Sequence, residues 1–392
     1  MQNILKSLKK AYKDMDKVLL VIIIFLFIFG LANILTASSR EAVVENGVSM
    51  TYYFRKQLFV IIVSFIAAQF VFIMPTKRYY NLLMPAYIIL NILLLYLVFF
   101  GESVNGAKNW IRIPGIGMSF QPSEVMKIVV LCSLAVIFER FYRYLKTPNV
   151  NKTRIYTLIV LCVLIPMALI FLQKDFGTML ILLIISFILF MTSPIIVTDK
   201  FKIIGYVFGI LVASCLVIYL AKGYVLSEAQ MARFKNFWRP CDTYETGGYQ
   251  VCNCFIAINN GGFLGVGPGN STQKYSFIPE PHTDSVFAIF AEEYGVLWSS
   301  FLFLAYIIII KRIINISTNA TTIRGRYIAL GIATYITFHI IINLGGIFGL
   351  IPLTGIPLPF LSYGGTYAMT LIIALAIVER IHIETKNAQI RL

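Results

Sequence analysis

The chain has 392 residues, 58% of them hydrophobic and 13% charged, with a formal net charge of +15 and a mean hydropathy of +0.81. A soluble domain carries about 25% charged and about 45–50% apolar residues, so a soluble enzyme, a disordered tail protein and a disulfide-stapled secreted domain are excluded. The apolar residues come in blocks, and an unbroken block of about 18 or more reads as a membrane span, so the excess of cations becomes a question of sidedness before it is one of nucleic acid.

In chain order, ten blocks qualify: 18–37, 57–75, 80–100, 123–141, 155–173, 176–193, 203–221, 286–310, 327–350 and 363–380. Each is long enough to cross a hydrocarbon core about 30 Å thick at 1.5 Å per helical residue. In lipid the backbone must satisfy its own hydrogen bonds, which leaves helices as the reading. The expected fold is an all-α polytopic membrane protein of ten transmembrane helices. A basic tail (1–17) precedes a single membrane domain (18–380), in which a long loop (222–285) joins helices 7 and 8. A short tail (381–392) ends the chain. Lys6, Lys9, Lys10, Lys13 and Lys17 precede the first block, which is too long for a cleaved signal core and reads as a signal-anchor.

With the N-terminus in the cytoplasm, 21 of the 33 Lys and Arg residues fall on the cytoplasmic side and 12 on the outer side, five of these in the one long loop. Positive residues favour the cytoplasmic side and count least in long loops, so both termini are expected inside. Ten of the 18 acidic residues lie in or beside the outer segments. Cys132, Cys162 and Cys215 lie in spans as small apolar filler. Cys241, Cys252 and Cys254 lie in the long loop, where one disulfide is possible and free thiols are the simpler expectation. No metal-ligand spacing is present.

Three outer segments are too long for plain connections: 101–122, 222–285 and 351–362. The last has Pro352, Pro357 and Pro359 around Thr354-Gly355. Irregular backbone at membrane depth must be buried in protein or line a wet cavity, so an outward-facing cavity is expected. Glu124 and Lys127 share a face at the start of span four, either as a structural ion pair or as a carboxylate orienting a cation toward a lipid phosphate. Asp175, in the turn before span six, reads as a helix cap, and His339 as a core residue. The glycine-dense stretch 261–271 fits no dinucleotide fingerprint, although glycines let backbone amides approach a phosphate or sugar. It leads into Pro279-Glu280-Pro281-His282-Thr283-Asp284 at the mouth of span eight. Asp284 there is a helix cap or a reactive carboxylate facing the cavity. Glu292 and Glu293 are intramembrane carboxylates, which read as functional by default.

Together the motifs Gly106-Ala107-Lys108-Asn109-Trp110-Ile111, Gln121-Pro122-Ser123-Glu124 with Lys127, and Gln173 with Asp175, Gly177 and Thr178 resemble the SEDS family of bacterial peptidoglycan glycosyltransferases. So do Gly248-Tyr249-Gln250, Pro279 through Asp284 with Glu292-Glu293, and Leu358 through Gly365. The likeness spans nearly the whole chain and is nearer the division and sporulation branch (FtsW, SpoVE) than the elongation branch (RodA). Departures occur at Asn109, where arginine is usual, at Lys174 for proline, at Ser285-Val286, at Thr366 for serine and around Pro240-Cys241-Asp242.

The resemblance implies polymerisation of lipid II into β-1,4 glycan on the outer face of the bacterial plasma membrane, with Asp284 as general base and undecaprenyl diphosphate as leaving group. It implies Lys108, Lys127 and Arg233 at the lipid diphosphate, Glu124 orienting Lys127, Trp110 against sugar or lipid, and Ser271, His282, Glu292 and Ser362 around the substrate. No cofactor is required by the sequence; a divalent cation, magnesium or manganese, between Asp284 and the diphosphate stays open. The implied partners are lipid II and the nascent glycan, a class B penicillin-binding protein, and other divisome or elongasome membrane proteins, with no nucleic acid. A lipid II flippase and an elongation-type polymerase are the alternatives. Against a flippase, the polar residues crowd one face and no inverted repeat is visible; against a non-catalytic scaffold, the polar outer segments need an explanation.

Overall fold

In a computed structural model the described residues are 11–104, 106–113, 118–146, 152–225, 231, 237, 239–275 and 277–390. Ten long helices coincide with the ten apolar blocks: α1 (Lys17–Arg40), α2 (Tyr52–Ile73), α3 (Tyr79–Phe100), α4 (Pro122–Lys146), α5 (Thr153–Leu172), α6 (Phe176–Thr192), α7 (Val197–Lys222), and, after the 13-residue α8 (Tyr249–Gly261), α9 (Val286–Asn319), α10 (Ile323–Ile347) and α11 (Gly365–Gln389). Eight of them, all but α4 and α6, are long and apolar enough to cross a membrane. Sequence alone places the ends several residues short, most visibly at α9, α10 and α11. There polar residues such as Arg324 and Glu384 extend the helices past their apolar blocks.

The core is built where α4, α6 and α10 meet. Met126, Leu131 and Phe138 of α4, Ile181 and Ile185 of α6, and Ile328, Ile332 and Tyr335 of α10 are all buried there. Outward-facing side chains such as Phe25, Phe70, Phe99 and Trp298 are exposed and apolar, as expected of surface solvated by lipid tails.

The 101–120 segment is a small antiparallel sheet. β1 (Glu102–Val104) pairs with β2 (Ala107–Ile113), Glu102 opposite Trp110, and β2 pairs with β3 (Met118–Phe120), Arg112 opposite Ser119. Helix α9 is broken at Gly295, whose φ of 72° belongs to the left-handed region. The groups freed by the break are taken up by the glycine-rich loop. Val296 and Leu297 donate to the carbonyls of Gly262 and Phe263 (3.0 and 3.1 Å), and Val266 and Gly267 donate to those of Glu292 and Glu293 (2.9 and 3.0 Å). A Cβ on Gly295 would run into the backbone of Gly265, so only glycine fits. These two loop amides are therefore engaged by the helix itself.

The long loop corrects the expectation of free thiols: Cys241 and Cys252 form a disulfide, while Cys254 stays reduced and buried. The 240–248 segment doubles back onto α8, with the Gly248 amide donating to the Thr243 carbonyl (2.9 Å). This brings the two Cα atoms to 5.0 Å across an 11-residue separation, within the usual span of a disulfide.

Candidate active site

Asp284 lies two residues before α9. The N-cap position of that helix is Ser285, which makes no side-chain capping bond, so the Asp284 carboxylate is not committed to the helix end. The adjoining backbone is fixed from below. The Asn343 amide on α10 donates to both the Asp284 and the Ile356 carbonyls (2.7 Å each), tying the mouth of α9 to the proline-rich 351–364 loop. Gly355 of that loop lies beneath the carboxylate, the position of its missing Cβ being 3.9 Å from Asp284 Oδ2. Gln250 of α8 donates to the Ser285 hydroxyl (2.9 Å) from the other side.

The Asp284 side chain is half-buried and surrounded by protein, so its charge is poorly hydrated. Desolvation, followed by the nearby Glu280 charge, pushes its pKa up to about 6, against the opposing Thr283 hydroxyl and local amides. The Thr283 hydroxyl donates to Oδ1 of the carboxylate (3.3 Å), and among the described residues no basic side chain forms an ion pair with it.

His282 is buried two residues upstream. Its Nδ1 is 3.2 Å from Glu41 Oε2, its ring packs between Tyr53 and Tyr363 at 4.3 and 5.1 Å, and its carbonyl accepts from the Tyr363 amide at 2.8 Å. Glu41 opens a π-helical turn (Glu41–Glu45) that prolongs α1, a local widening often found at functional sites.

Glu124 and Lys127 form a buried ion pair of 2.8 Å. The ammonium also meets His339 Nε2 at 3.1 Å, and His339 Nδ1 lies 3.2 Å from the Pro357 carbonyl. His339, read from sequence as a core residue, is core and also the link from this pair to the 351–364 loop. Lys127 is 1% exposed, so its charge is spent on Glu124 and His339. The adjacent Asp175 caps α6 through the Thr178 amide (3.1 Å). It also accepts from Asn109 (2.7 Å) and Gln121 (3.0 Å), joining the sheet, α4 and α6. Gly177 just beyond it is required by close approach, since a Cβ there would stand 2.8 Å from the Thr354 carbonyl. Two departures from the family pattern thus have structural partners. Asn109 binds Asp175, and the Thr366 hydroxyl accepts from the Gln121 amide at 3.0 Å.

The remaining sequence-derived residues are spread around this centre. Lys108 is exposed and Trp110 half-buried on β2, with the Lys108 amide bonded to the Gln173 carbonyl (3.0 Å). Ser271 donates to Glu292, which also accepts from the amides of Thr272 and Gln273, the Thr272 hydroxyl and Asn260. That carboxylate therefore clamps the glycine-rich loop. Glu293 pairs with Lys274 at 3.0 Å. The Ser362 hydroxyl accepts from the Leu358 amide (2.7 Å) and closes the turn in which Phe360 takes a φ of 69°. Arg233 lies outside the described residues. The structure thus gathers Asp284 with His282 and the 351–364 loop, sets Glu124 and Lys127 beneath them, and puts Ser271 with Glu292 in the loop clamp. Sequence reasoning missed Glu41, Tyr53 and Asn343, and named Tyr363 only as part of the 358–365 motif. Glu41 alone carried a signal, as a carboxylate at the end of an apolar block.

Among the described residues no three His, Cys, Asp or Glu side chains converge as a metal-ligand set.

A family model described as cell cycle protein, FtsW/RodA/SpoVE, matches residues 16–387. A relative named probable peptidoglycan glycosyltransferase FtsW from Bacillus subtilis is 34% identical over 389 residues, covering 97% of this chain and 94% of its own. One of the same name from Enterococcus hirae is 32% identical, covering 93% and 92%. Among solved structures, a chain from work on the structural coordination of polymerisation and crosslinking by a peptidoglycan synthase complex superposes with a TM-score of 0.71 at 23% identity, over 95% of this chain and 98% of that one. The rod shape determining protein RodA of Thermus thermophilus gives 0.63 at 21%, over 94% and 96%. With that match running through every element of the site, the chain belongs to the FtsW/RodA/SpoVE family.

Proposed function

We propose that this chain is a peptidoglycan glycosyltransferase of cell division, polymerising lipid II at the outer face of the plasma membrane with Asp284 as general base. In this reading all ten long helices cross the bilayer, with both termini in the cytoplasm. The observation that carries the base assignment is the half-buried Asp284 carboxylate, which caps no helix and whose pKa is raised to about 6. A base is most effective when its pKa lies near the operating pH and it reaches the proton it removes.

Asp284 takes the proton from the GlcNAc 4-hydroxyl of the acceptor lipid II. The freed oxygen attacks C1 of the MurNAc at the lipid-linked end of the donor chain. The C1–oxygen bond to undecaprenyl diphosphate breaks, and the α-linked donor becomes a β-1,4 bond. The chain's contribution is to hold the carboxylate and its loop in place through Asn343 and Gln250, and to offer cations to the departing diphosphate. Lys108 is exposed for that task, and Arg233 is assigned to it by resemblance. Lys127, enclosed by Glu124 and His339, supports the site by holding α4 and α10 together. A magnesium or manganese ion, if used, would neutralise the diphosphate; with Asp284 as its one protein carboxylate it fits as an ion held mainly by substrate oxygens and water. A class B penicillin-binding protein is the proposed partner.

The test is polymerisation of lipid II by the purified chain with that partner. Asp284→Ala and Asp284→Asn are expected to lower glycan formation by at least ~100-fold, in line with loss of a positioned base, while remaining folded. Wild-type rates in either variant would overturn the assignment. Transbilayer movement of lipid II without polymer in the wild type would overturn the reaction itself.

A further inference from the structure

At the end of the bundle away from Asp284, four basic side chains each meet a carboxylate: Arg312 with Asp16, Arg324 with Glu139, Arg380 with Glu384 and Lys386 with Asp14. Lys77 and Arg78 at the same end are exposed and enter no described ion pair. They sit on a 3-10 turn, Thr76–Arg78, between α2 and α3, and with Pro75 and Asn81 they line a cleft of about 490 Å³. The turn is rigidly seated. Thr76 is fully buried; its amide and hydroxyl donate to the two oxygens of Glu384 (2.8 and 2.5 Å), and its hydroxyl accepts from Arg324 (3.0 Å). The carboxylates nearest the turn, Glu384 and Glu139, are thereby neutralised by Arg380 and Arg324, so none of them opposes an incoming anion. On the helices that flank the turn, Phe70 of α2 and Leu82 and Met84 of α3 are exposed and apolar.

Two cations carried on a rigidly seated turn, with the Asn81 amide beside them and exposed apolar side chains on both flanking helices, match an anionic phospholipid, its phosphodiester in the cleft and its acyl chains along α2 and α3. We propose that the Pro75–Asn81 cleft binds the headgroup of an anionic phospholipid such as phosphatidylglycerol. Cations at a membrane surface attract anionic lipid strongly enough that losing two of them corresponds to about a 30-fold loss of affinity.

The experiment is native mass spectrometry of the full chain in detergent, titrated with phosphatidylglycerol. The wild type is expected to hold one tightly bound lipid, and the double variant Lys77→Ala, Arg78→Ala to hold it about 30-fold more weakly. Both residues are exposed, so the double variant is expected to keep the wild-type melting temperature in the absence of lipid, which separates binding from folding. A control double variant, Lys202→Ala with Arg326→Ala, removes two exposed cations elsewhere on the same end and is expected to bind as the wild type does. An equal loss in the control, or retention as strong for phosphatidylcholine, would reduce the cleft to diffuse surface charge and overturn the proposal. Displacement of the lipid by millimolar inorganic phosphate would identify a phosphate site and overturn the lipid assignment.

Discussion

Asp284 owes its basicity to its surroundings more than to its bonds. The same carboxylate in water would titrate near its ordinary value of 3.8, whereas burial and the Glu280 charge hold it at about 6. Because a base must be ionised, the rate of polymerisation is expected to rise with pH through about 6 and then level. A pH-rate profile under sub-saturating lipid II checks this, and an ascending limb near 4 would place the base elsewhere. Stability carries the opposite sign. A folded pKa above the unfolded one means that ionisation penalises the fold, so Asp284 costs stability at pH 8 and the cost fades as pH falls from 6 to 4. Asp284→Asn is accordingly expected to melt higher than wild type at pH 8 and alike at pH 4. At this scale the sequence showed the reactive carboxylate, because six ordered residues lead straight into an apolar block. It did not show that Glu41, Asn343 and Gln250 converge on the same spot. These are single polar residues separated by as many as 302 positions, and only packing brings them together.

At the scale of elements, the glycine-rich loop and the broken helix are one device. Within lipid a helix can be interrupted only if other groups satisfy the freed backbone, and here the loop does so on one side of Gly295 while Glu292 gathers its far end. Glu292→Ala would leave the Ser271 hydroxyl and the Thr272 and Gln273 amides without their acceptor. At about 1–3 kcal/mol for each buried donor left unpaired, shared among neighbours that relax together, a loss of roughly 3 kcal/mol is expected. Hydrogen exchange should localise it to residues 261–275. Exchange unchanged there would mean that the carboxylate does not hold the loop. Intramembrane carboxylates are read as functional by default, and for Glu292 the structural duty is what the contacts show. Element existence was legible for every long helix because the length of an unbroken apolar block signalled each one. The three-stranded sheet and the disulfide were not: short strands at a membrane surface carry no long apolar run, and cysteine pairing depends on how 240–248 folds back onto α8.

At the scale of the whole molecule, the parity of the crossings follows from which ends meet. Helices α4 and α6 lack the length or apolarity of the other eight, yet both run the depth of the bundle. Helix α4 begins beside Asp175 through Gln121 and reaches Arg324 through Glu139, while α6 begins at Asp175 and ends where the Tyr327 hydroxyl binds the Thr192 carbonyl (2.8 Å). Helix α4, packed among other helices, faces little lipid, which frees it from the composition that a lipid-exposed span requires, while α6 is apolar throughout and falls short only in length. Asp14 and Asp16 before α1 meet Lys386 of α11 and Arg312 of α9, so the first and last long helices have their outer termini at one end of the bundle. That parity requires an even number of crossings, a condition that the proposed ten meets. The proposed orientation, which rests on the bias of cations in the connecting segments, puts that end in the cytoplasm. Single cysteines introduced by Asn46→Cys, in the turn after α1, and Thr321→Cys, between α9 and α10, into a chain whose exposed native cysteine is removed test both conclusions. A membrane-impermeant thiol reagent applied to intact cells is expected to label the Asn46 variant at once and the Thr321 variant only after permeabilisation. The reverse pattern would invert the protein and place Asp284 in the cytoplasm, where the proposed outer-face polymerisation would have no substrate-facing site. Labelling of both in intact cells would mean that the bundle does not cross the bilayer an odd number of times between these two positions.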